Sequence, residues 1–194
     1  MQRLGKPIQT VNDVLVDLFE DNRRRLKRAL DQINDQCLVW MPDPNTNSIA
    51  ITIWHMGRLL DVFFTQQALG KSAIDECWFK CGWAQETGYD PRRIGRYGWG
   101  SLNDYTMEEV AAIPLMTREQ LLGYIDDLYD IVITYLQNTP NEALQSSAPG
   151  FEGQYTRYQC IQMALMDNVR HLGEIYTLKS RWDREFTESG GNGN

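Results

Sequence analysis

Helical periodicity dominates four long stretches of the chain and restricts the folds that are available to it. Apolar residues recur three or four positions apart over approximately residues 8–33, 49–69, 117–139 and 157–182, which is the spacing of one face of an amphipathic α-helix. No segment alternates apolar and polar residues over enough positions to build a β-sheet. Long amphipathic helices bury their apolar faces against each other, so we predict an all-α protein, an up-down four-helix bundle.

The connection between the second and third predicted helices is unusually long. Residues 71–116 lose the helical periodicity and are rich in tryptophan, tyrosine and glycine. We expect a long aromatic-rich insert with two short helices, one over residues 75–85 and one that begins at Thr106, where Thr106 and Glu109 have the spacing of a capping box. The connection at residues 40–48 is predicted to be a loop, because it combines prolines with Asn, Asp and Ser.

Length and composition indicate one domain. The chain has 194 residues and a mass of 22.5 kDa, which suffices for one hydrophobic core and is short for two domains. We assign residues 1–186 to a single helical domain. Residues 187–194 consist largely of glycine and asparagine and are predicted to be a disordered tail.

The charge of the chain argues against some classes of partner. A formal net charge of −7 and an isoelectric point near 4.9 argue against a surface for nucleic acid or for an anionic membrane, both of which need a basic face. The expected partner is therefore a small-molecule substrate. No apolar run reaches the ~18 residues of a membrane span, and the N-terminus lacks the profile of a secretion signal. We therefore expect a cytoplasmic protein.

The four cysteines do not form the pattern of a disulfide framework. Cys37, Cys77, Cys81 and Cys160 contain no CxxC pair, so we interpret them as reduced thiols. Cys77 and Cys81 are the only close pair. A zinc role for this pair stays open from the sequence.

The only two histidines of the chain fall on inward faces of two predicted helices. Asp167 and His171 are four residues apart, so their side chains lie one above the other on the last helix. On a helical wheel both point to the same side as neighbouring apolar residues, within about 40°, and His55 does the same on the second helix. A buried carboxylate beside an imidazole is costly unless charge or hydrogen bonds compensate, and a divalent cation provides both.

We therefore hypothesise a metal site formed by His55, Asp167 and His171, with open positions for water or substrate. The alternative is an ion pair between Asp167 and His171, with His55 as an ordinary core histidine. Glu174 continues the stripe of Asp167 and His171 and is a candidate spare ligand, general base or orienting group.

Three arginines lie in the middle of the aromatic-rich insert. Arg92, Arg93 and Arg96 could bind the carboxylate or phosphate of an anionic substrate or cofactor at the mouth of a metal pocket. The alternative is that they only offset Asp90 and other surface acids. The sequence does not distinguish these two interpretations.

Two segments of the chain resemble those of the DinB-like four-helix family, which includes mycothiol-dependent maleylpyruvate isomerases and bacillithiol S-transferases. The resemblance extends over about residues 15–182, and a segment at residues 82–88 is similar to one uncharacterised branch. The two specific segments are Asn47-Ser48-Ile49-Ala50 followed by Ile53-Trp54-His55-Met56-Gly57-Arg58, and Asp167-Asn168-Val169-Arg170-His171-Leu172-Gly173-Glu174-Ile175.

This resemblance implies a divalent ion, often zinc or nickel, held by one histidine of the second helix and two of the fourth. In this sequence Asp167 replaces the first histidine of the fourth helix, so His55 and His171 are the implied ligands, while Asp167 binds directly, through water, or orients an imidazole. A carboxylate shifts the preference toward manganese or iron without excluding zinc.

The resemblance also implies a function. We expect a divalent-metal-dependent transferase or hydrolase that acts on a small molecule through a metal-activated water or thiolate, with a low-molecular-weight thiol as a second cofactor, and a homodimer. The alternative is a non-catalytic metal- or ligand-binding protein related to stress. A pocket that binds an apolar ligand through tryptophans of the insert is a third interpretation.

Overall fold

The computed structural model describes residues 8–186, so the predicted disordered tail at 187–194 lies outside the described part of the chain. Within that part no strand is present, only one isolated β-bridge between Ser147 and Thr156. The predicted all-α class is therefore confirmed. The α-helices are α1 (Val11–Leu30), α2 (Asp35–Val39), α3 (Ile49–Val62), α4 (Cys77–Lys80), α5 (Trp83–Thr87), α6 (Met107–Ala111), α7 (Arg118–Asn138), α8 (Asn141–Gln145) and α9 (Arg157–Phe186).

The N-termini of the long helices follow from capping side chains. Thr10 and Thr117 begin α1 and α7 with capping boxes, and the Ser48 side chain accepts a hydrogen bond from the Ile51 amide at the start of α3. Each cap satisfies an amide that the first turn of a helix leaves without a partner. The predicted second helix continues beyond α3 as a π-helical segment, Phe63–Ala68.

The four long helices, α1, α3, α7 and α9, surround the core, and each packs against two of the others. Their contacts also give their directions. Asn12 near the start of α1 donates to the Leu136 carbonyl near the end of α7, while Lys27 near the end of α1 pairs with Asp126 near the start of α7. Helices α1 and α7 are therefore antiparallel.

Helices α3 and α7 run in the same direction. The Tyr124 hydroxyl, early in α7, donates to Asp61 of α3, and the ring of Tyr135, later in α7, packs 5.3 Å from Phe64 just beyond α3. Helix α9 is antiparallel to α3, because His55 meets His171 well inside α9 while Phe63 packs on Phe151, which precedes α9. The course is thus up-down-down-up.

The alternating up-down course predicted from the sequence is wrong on this point. Short connections favour an alternating course, whereas residues 63–117, 55 in number, separate α3 from α7. A 20-residue helix is about 30 Å long, a distance that roughly ten extended residues can span. The insert is long enough to return the chain to the end from which α3 began.

The insert is part of the core and is not a loose loop. Trp78 is fully buried, and its ring packs 5.0 Å from Tyr124 of α7 and 6.3 Å from Trp54 of α3, both nearly edge-on. Aromatic pairs of this geometry add to the stabilisation from buried area. The predicted helix over residues 75–85 is divided at Gly82, whose φ of +88° belongs to the left-handed region.

Two further predictions concern helix ends and membranes. The first helix ends at Leu30 and is followed by the separate short helix α2, which the sequence did not predict. The predicted short helix after Thr106 is present as α6. No helix among residues 8–186 is both long enough and apolar enough to cross a bilayer.

Candidate metal centre

His55 lies in the middle of α3, with only 5% of its surface exposed. Its Nδ1 atom is 2.5 Å from the carbonyl oxygen of Ser101 in the insert. A carbonyl can only accept a hydrogen bond, so Nδ1 carries the proton. In the neutral imidazole the lone pair of His55 is therefore on Nε2, the nitrogen that faces α9.

Asp167 and His171 approach His55 from α9. The Oδ2 atom of Asp167 lies 3.4 Å from the Nε2 atom of His55 and 3.4 Å from the Nε2 atom of His171. All three ligand atoms lie within 4.8 Å of one another. Two helices that are more than 100 residues apart in sequence therefore bring the three predicted metal-ligating side chains to one place.

Glu174 orients the second imidazole. Its Oε2 atom lies 2.7 Å from the Nδ1 atom of His171, and an ionised carboxylate can only accept, so the proton of His171 is on Nδ1. His171, like His55, then presents its Nε2 lone pair to the centre. Carboxylates and carbonyls that hold the remote nitrogen of a metal-binding histidine are a common feature of protein metal sites.

The two carboxylate oxygens of Asp167 lie in different surroundings. Oδ1 pairs with the exposed guanidinium of Arg170, whereas Oδ2 is buried and has no hydrogen-bond partner in the described structure. A buried oxygen without a partner is costly. When both imidazoles are neutral, each presents a lone pair to Oδ2 and neither donates to it, so a cation would satisfy all three atoms.

Two of the three interatomic spacings match those around a first-row divalent ion. Ligands that each lie 2.0–2.1 Å from a tetrahedral ion are about 3.4 Å apart, which is the distance from Asp167 Oδ2 to each Nε2 atom. The set of two imidazoles and one carboxylate is used by both zinc and non-haem iron. An ion pair confined to Asp167 and His171 does not account for the equal 3.4 Å contact of Asp167 Oδ2 with His55 Nε2.

The electrostatics favour negative carboxylates at this centre. Burial raises the pKa of Asp167, but a hydrogen bond from His55 and the charges of His171, His55 and Arg170, with both imidazoles in their protonated form, outweigh burial and hold it below the ordinary value. The hydrogen bond with His171 lowers the pKa of Glu174. Both groups are therefore ionised at neutral pH and supply negative charge near the two imidazoles.

The three arginines predicted to bind an anion lie on the surface of the insert. Arg92 pairs with Asp90 at 2.5 Å, and Arg96 pairs with Asp104 at 2.7 Å. Arg93 is exposed and has a left-handed backbone, with φ of +69°. No contact described for residues 8–186 joins any of the three to His55, Asp167 or His171.

A buried ionic cluster beside His55 was not predicted from the sequence. Arg58, one turn after His55, is fully buried and pairs with Glu76 at 2.8 Å and with Asp61 at 3.5 Å. It also donates to the carbonyls of Gly100 and Trp99. These carbonyls immediately precede Ser101, so the cluster holds the loop whose next carbonyl orients His55. The available signal was the pair Arg58 and Asp61, two charged residues three positions apart among the apolar residues of α3.

Fold and site together define an all-α protein with a candidate metal centre between two of its long helices. The chain belongs to the DinB superfamily, whose family model matches residues 18–175. The resemblance noted in the sequence is thereby confirmed.

One solved structure with a similar fold is a conserved protein from Enterococcus faecalis. It is 21% identical to this chain, with a TM-score of 0.68, and the match covers 88% of this chain and 96% of the Enterococcus faecalis chain. This likeness shows a shared fold. No curated protein gives a significant match.

Proposed function

We propose that the chain binds one divalent metal ion through His55, Asp167 and His171 and uses it in a transferase or hydrolase reaction on a small molecule. The observation that carries the proposal is the shared 3.4 Å contact of Asp167 Oδ2 with both Nε2 atoms. The protonated Nδ1 atoms support it, because each is already held by Ser101 or Glu174. Zinc, nickel, manganese and iron all accept such a ligand set.

Catalysis is favoured over a purely structural site by the number of ligands. Among residues 8–186 the group of His, Cys, Asp and Glu side chains at this centre has three members. Structural zinc sites are usually closed by four protein ligands, whereas catalytic sites keep a position for water or substrate. A divalent ion, when bound, lowers the pKa of a water or thiol so that a nucleophile forms at neutral pH.

Residues around the proposed ion would orient its ligands, balance their charge and contact the substrate. Glu174 keeps the proton of His171 on Nδ1, and we assign it this positioning role in preference to that of a general base. Arg170 neutralises the outer oxygen of Asp167. An anionic substrate held by Arg92, Arg93 and Arg96 would have to compete with Asp90 and Asp104, which already pair with two of them.

The proposed substrate class is a low-molecular-weight thiol together with an electrophile. The test is turnover by the chain loaded in turn with zinc, nickel, manganese or iron, assayed with bacillithiol, mycothiol or glutathione. We expect thiol consumption that is lost on chelation and in His171→Ala. Turnover that persists in both cases would contradict the proposal. Metal binding without turnover of any thiol or hydrolysable ester would instead favour the non-catalytic binding protein.

We also propose that the chain forms a homodimer through α1 and α9. These helices are neighbours, and each presents large apolar side chains to solvent. On α1 these are Val14 and Leu18, 40% and 43% exposed, and on α9 Met166 and Val169, 57% and 44% exposed. Adjacent exposed apolar residues are typical of interaction surfaces.

A further inference from the structure

A second group of potential ligands lies away from the His55 centre, where α4 meets α7. The Sγ atoms of Cys77 and Cys81 are 3.4 Å apart, at the first residue of α4 and just after its last. Asp127 of α7 contributes a carboxylate, and the three ligand atoms lie within 4.8 Å of one another. Cys77 is 3% exposed, whereas Cys81 and Asp127 are exposed.

The surroundings do not suit a free thiolate. Burial raises the pKa of Cys77, and the negative charge of Asp61 raises it further. The pKa of Cys81 is also raised, chiefly by burial. A reactive cysteine needs the opposite, a positive environment that lowers its pKa. The two thiols lose their protons readily only if a cation replaces them.

We propose that Cys77, Cys81 and Asp127 form a second metal site, selective for a thiophilic divalent cation of the zinc and cadmium class. Thiolates prefer such soft ions, whereas the imidazole and carboxylate set at His55 accepts harder ones. This site goes beyond the proposed function and does not depend on it.

The geometry requires only a small adjustment. Two sulfurs at 2.3 Å from a tetrahedral ion are about 3.8 Å apart, compared with 3.4 Å between the two Sγ atoms. Cys81 follows the last residue of α4 and is exposed, so its side chain can move by this amount without disturbing the core. The indole N–H of Trp83 donates to Asp127 Oδ2 at 3.0 Å and holds the carboxylate in place.

The test is a titration of the reduced, full-length chain with cadmium chloride, followed by the ultraviolet charge-transfer band of cadmium thiolates. Imidazole and carboxylate ligands do not produce this band, so the His55 centre does not contribute to it. We expect one cadmium-thiolate site per chain. Cys81→Ser should abolish the band, and Asp127→Asn should weaken cadmium affinity about tenfold or more. The matched control Cys37→Ala removes a buried thiol elsewhere and should leave both unchanged.

Three results would overturn the second site. They are absence of the band in the reduced wild-type chain, an undiminished band in Cys81→Ser, and unchanged affinity in Asp127→Asn. None of them bears on the His55 centre. Conversely, His171→Ala should remove the metal of that centre and leave the cadmium-thiolate band intact, so the failures of the two proposals are distinguishable.

Discussion

The imidazole rings of His55 and His171 lie 4.7 Å apart, centroid to centroid, and are almost perpendicular, at 88°. Each ring has its Nδ1 proton held from outside the pair, by the Ser101 carbonyl and by Glu174. The inward nitrogens are therefore both acceptors, with the unpartnered oxygen of Asp167 between them. These three acceptors, which face one another, are the basis for proposing a metal ion at this centre.

Removal of Glu174 should impair the centre without unfolding the protein. Glu174→Ala leaves the Nδ1 proton of His171 without its acceptor, so the other tautomer becomes accessible and metal affinity should fall about 10–100-fold. Glu174→Gln keeps an accepting oxygen and should lose less. Nitrogen chemical shifts of His171 report the tautomer, and metal titration reports the affinity. Equal affinities in wild type and Glu174→Ala would refute the orienting role.

Removal of the buried guanidinium should be strongly destabilising. Arg58→Met leaves Asp61 and Glu76 buried without their cation, and breaking a buried pair in this way costs about 3–5 kcal/mol. Urea denaturation measures the loss. The control Arg96→Met removes an exposed ion pair with Asp104 and should cost at most about 1 kcal/mol.

A double variant tests whether Arg58 and Glu76 stabilise the protein as an ion pair or only through packing. Because Arg58 and Glu76 contact each other, the loss in Arg58→Met/Glu76→Gln should be smaller than the sum of the two single losses. Additive losses would show that the two side chains do not act as a unit.

Gly57 and Gly173 should respond in opposite directions to alanine. A Cβ atom at Gly57 would lie 2.4 Å from Cε1 of Tyr124, whereas one at Gly173 meets no atom within 4 Å. Overpacking typically costs about 1–3 kcal/mol, so Gly57→Ala should destabilise. Gly173→Ala in the interior of α9 should stabilise by about 0.5–1 kcal/mol. Thermal or urea denaturation measures both changes, and a Gly57→Ala variant as stable as the wild type would contradict the packing described between α3 and α7.

If the exposed apolar side chains of α1 and α9 form the dimer interface, a charge placed among them should lower the mass of the particle in solution. Gel filtration with light scattering should give twice the chain mass of 22.5 kDa for the wild type and the monomer mass for Leu18→Glu. Leu115→Glu, at a position that is 81% exposed in a loop, should remain dimeric. A monomeric wild-type chain at micromolar concentration would rule out the proposal.

Helical periodicity was enough to predict the convergence of the three candidate ligands. His55 and His171 each share a helical face with apolar residues, so packing those faces brings the imidazoles inward. Local sequence also predicted Thr106 as a helix cap with Glu109, because a capping box depends on residues three positions apart. These features are encoded within a few neighbouring residues.

Features that depend on distant parts of the chain were not predictable in this way. The direction of α7 depends on where the insert ends, and no local pattern encodes that. Ser101 acts through its backbone carbonyl, so its residue type carries no signal. The partners of Arg58 come from the insert and from the helix itself, and a helical wheel does not reveal a buried ion pair with a residue 18 positions away.

Metal content after gel filtration tests the central claim most directly. The chain is incubated with one divalent metal at a time, separated from free ions, and analysed by mass spectrometry of the elements. Wild type and Arg92→Ala should retain one ion per chain at the His55 centre, and His55→Ala and His171→Ala should lose that ion while keeping their helical circular dichroism. Metal content that is unchanged in both histidine variants would contradict a centre formed by His55, Asp167 and His171.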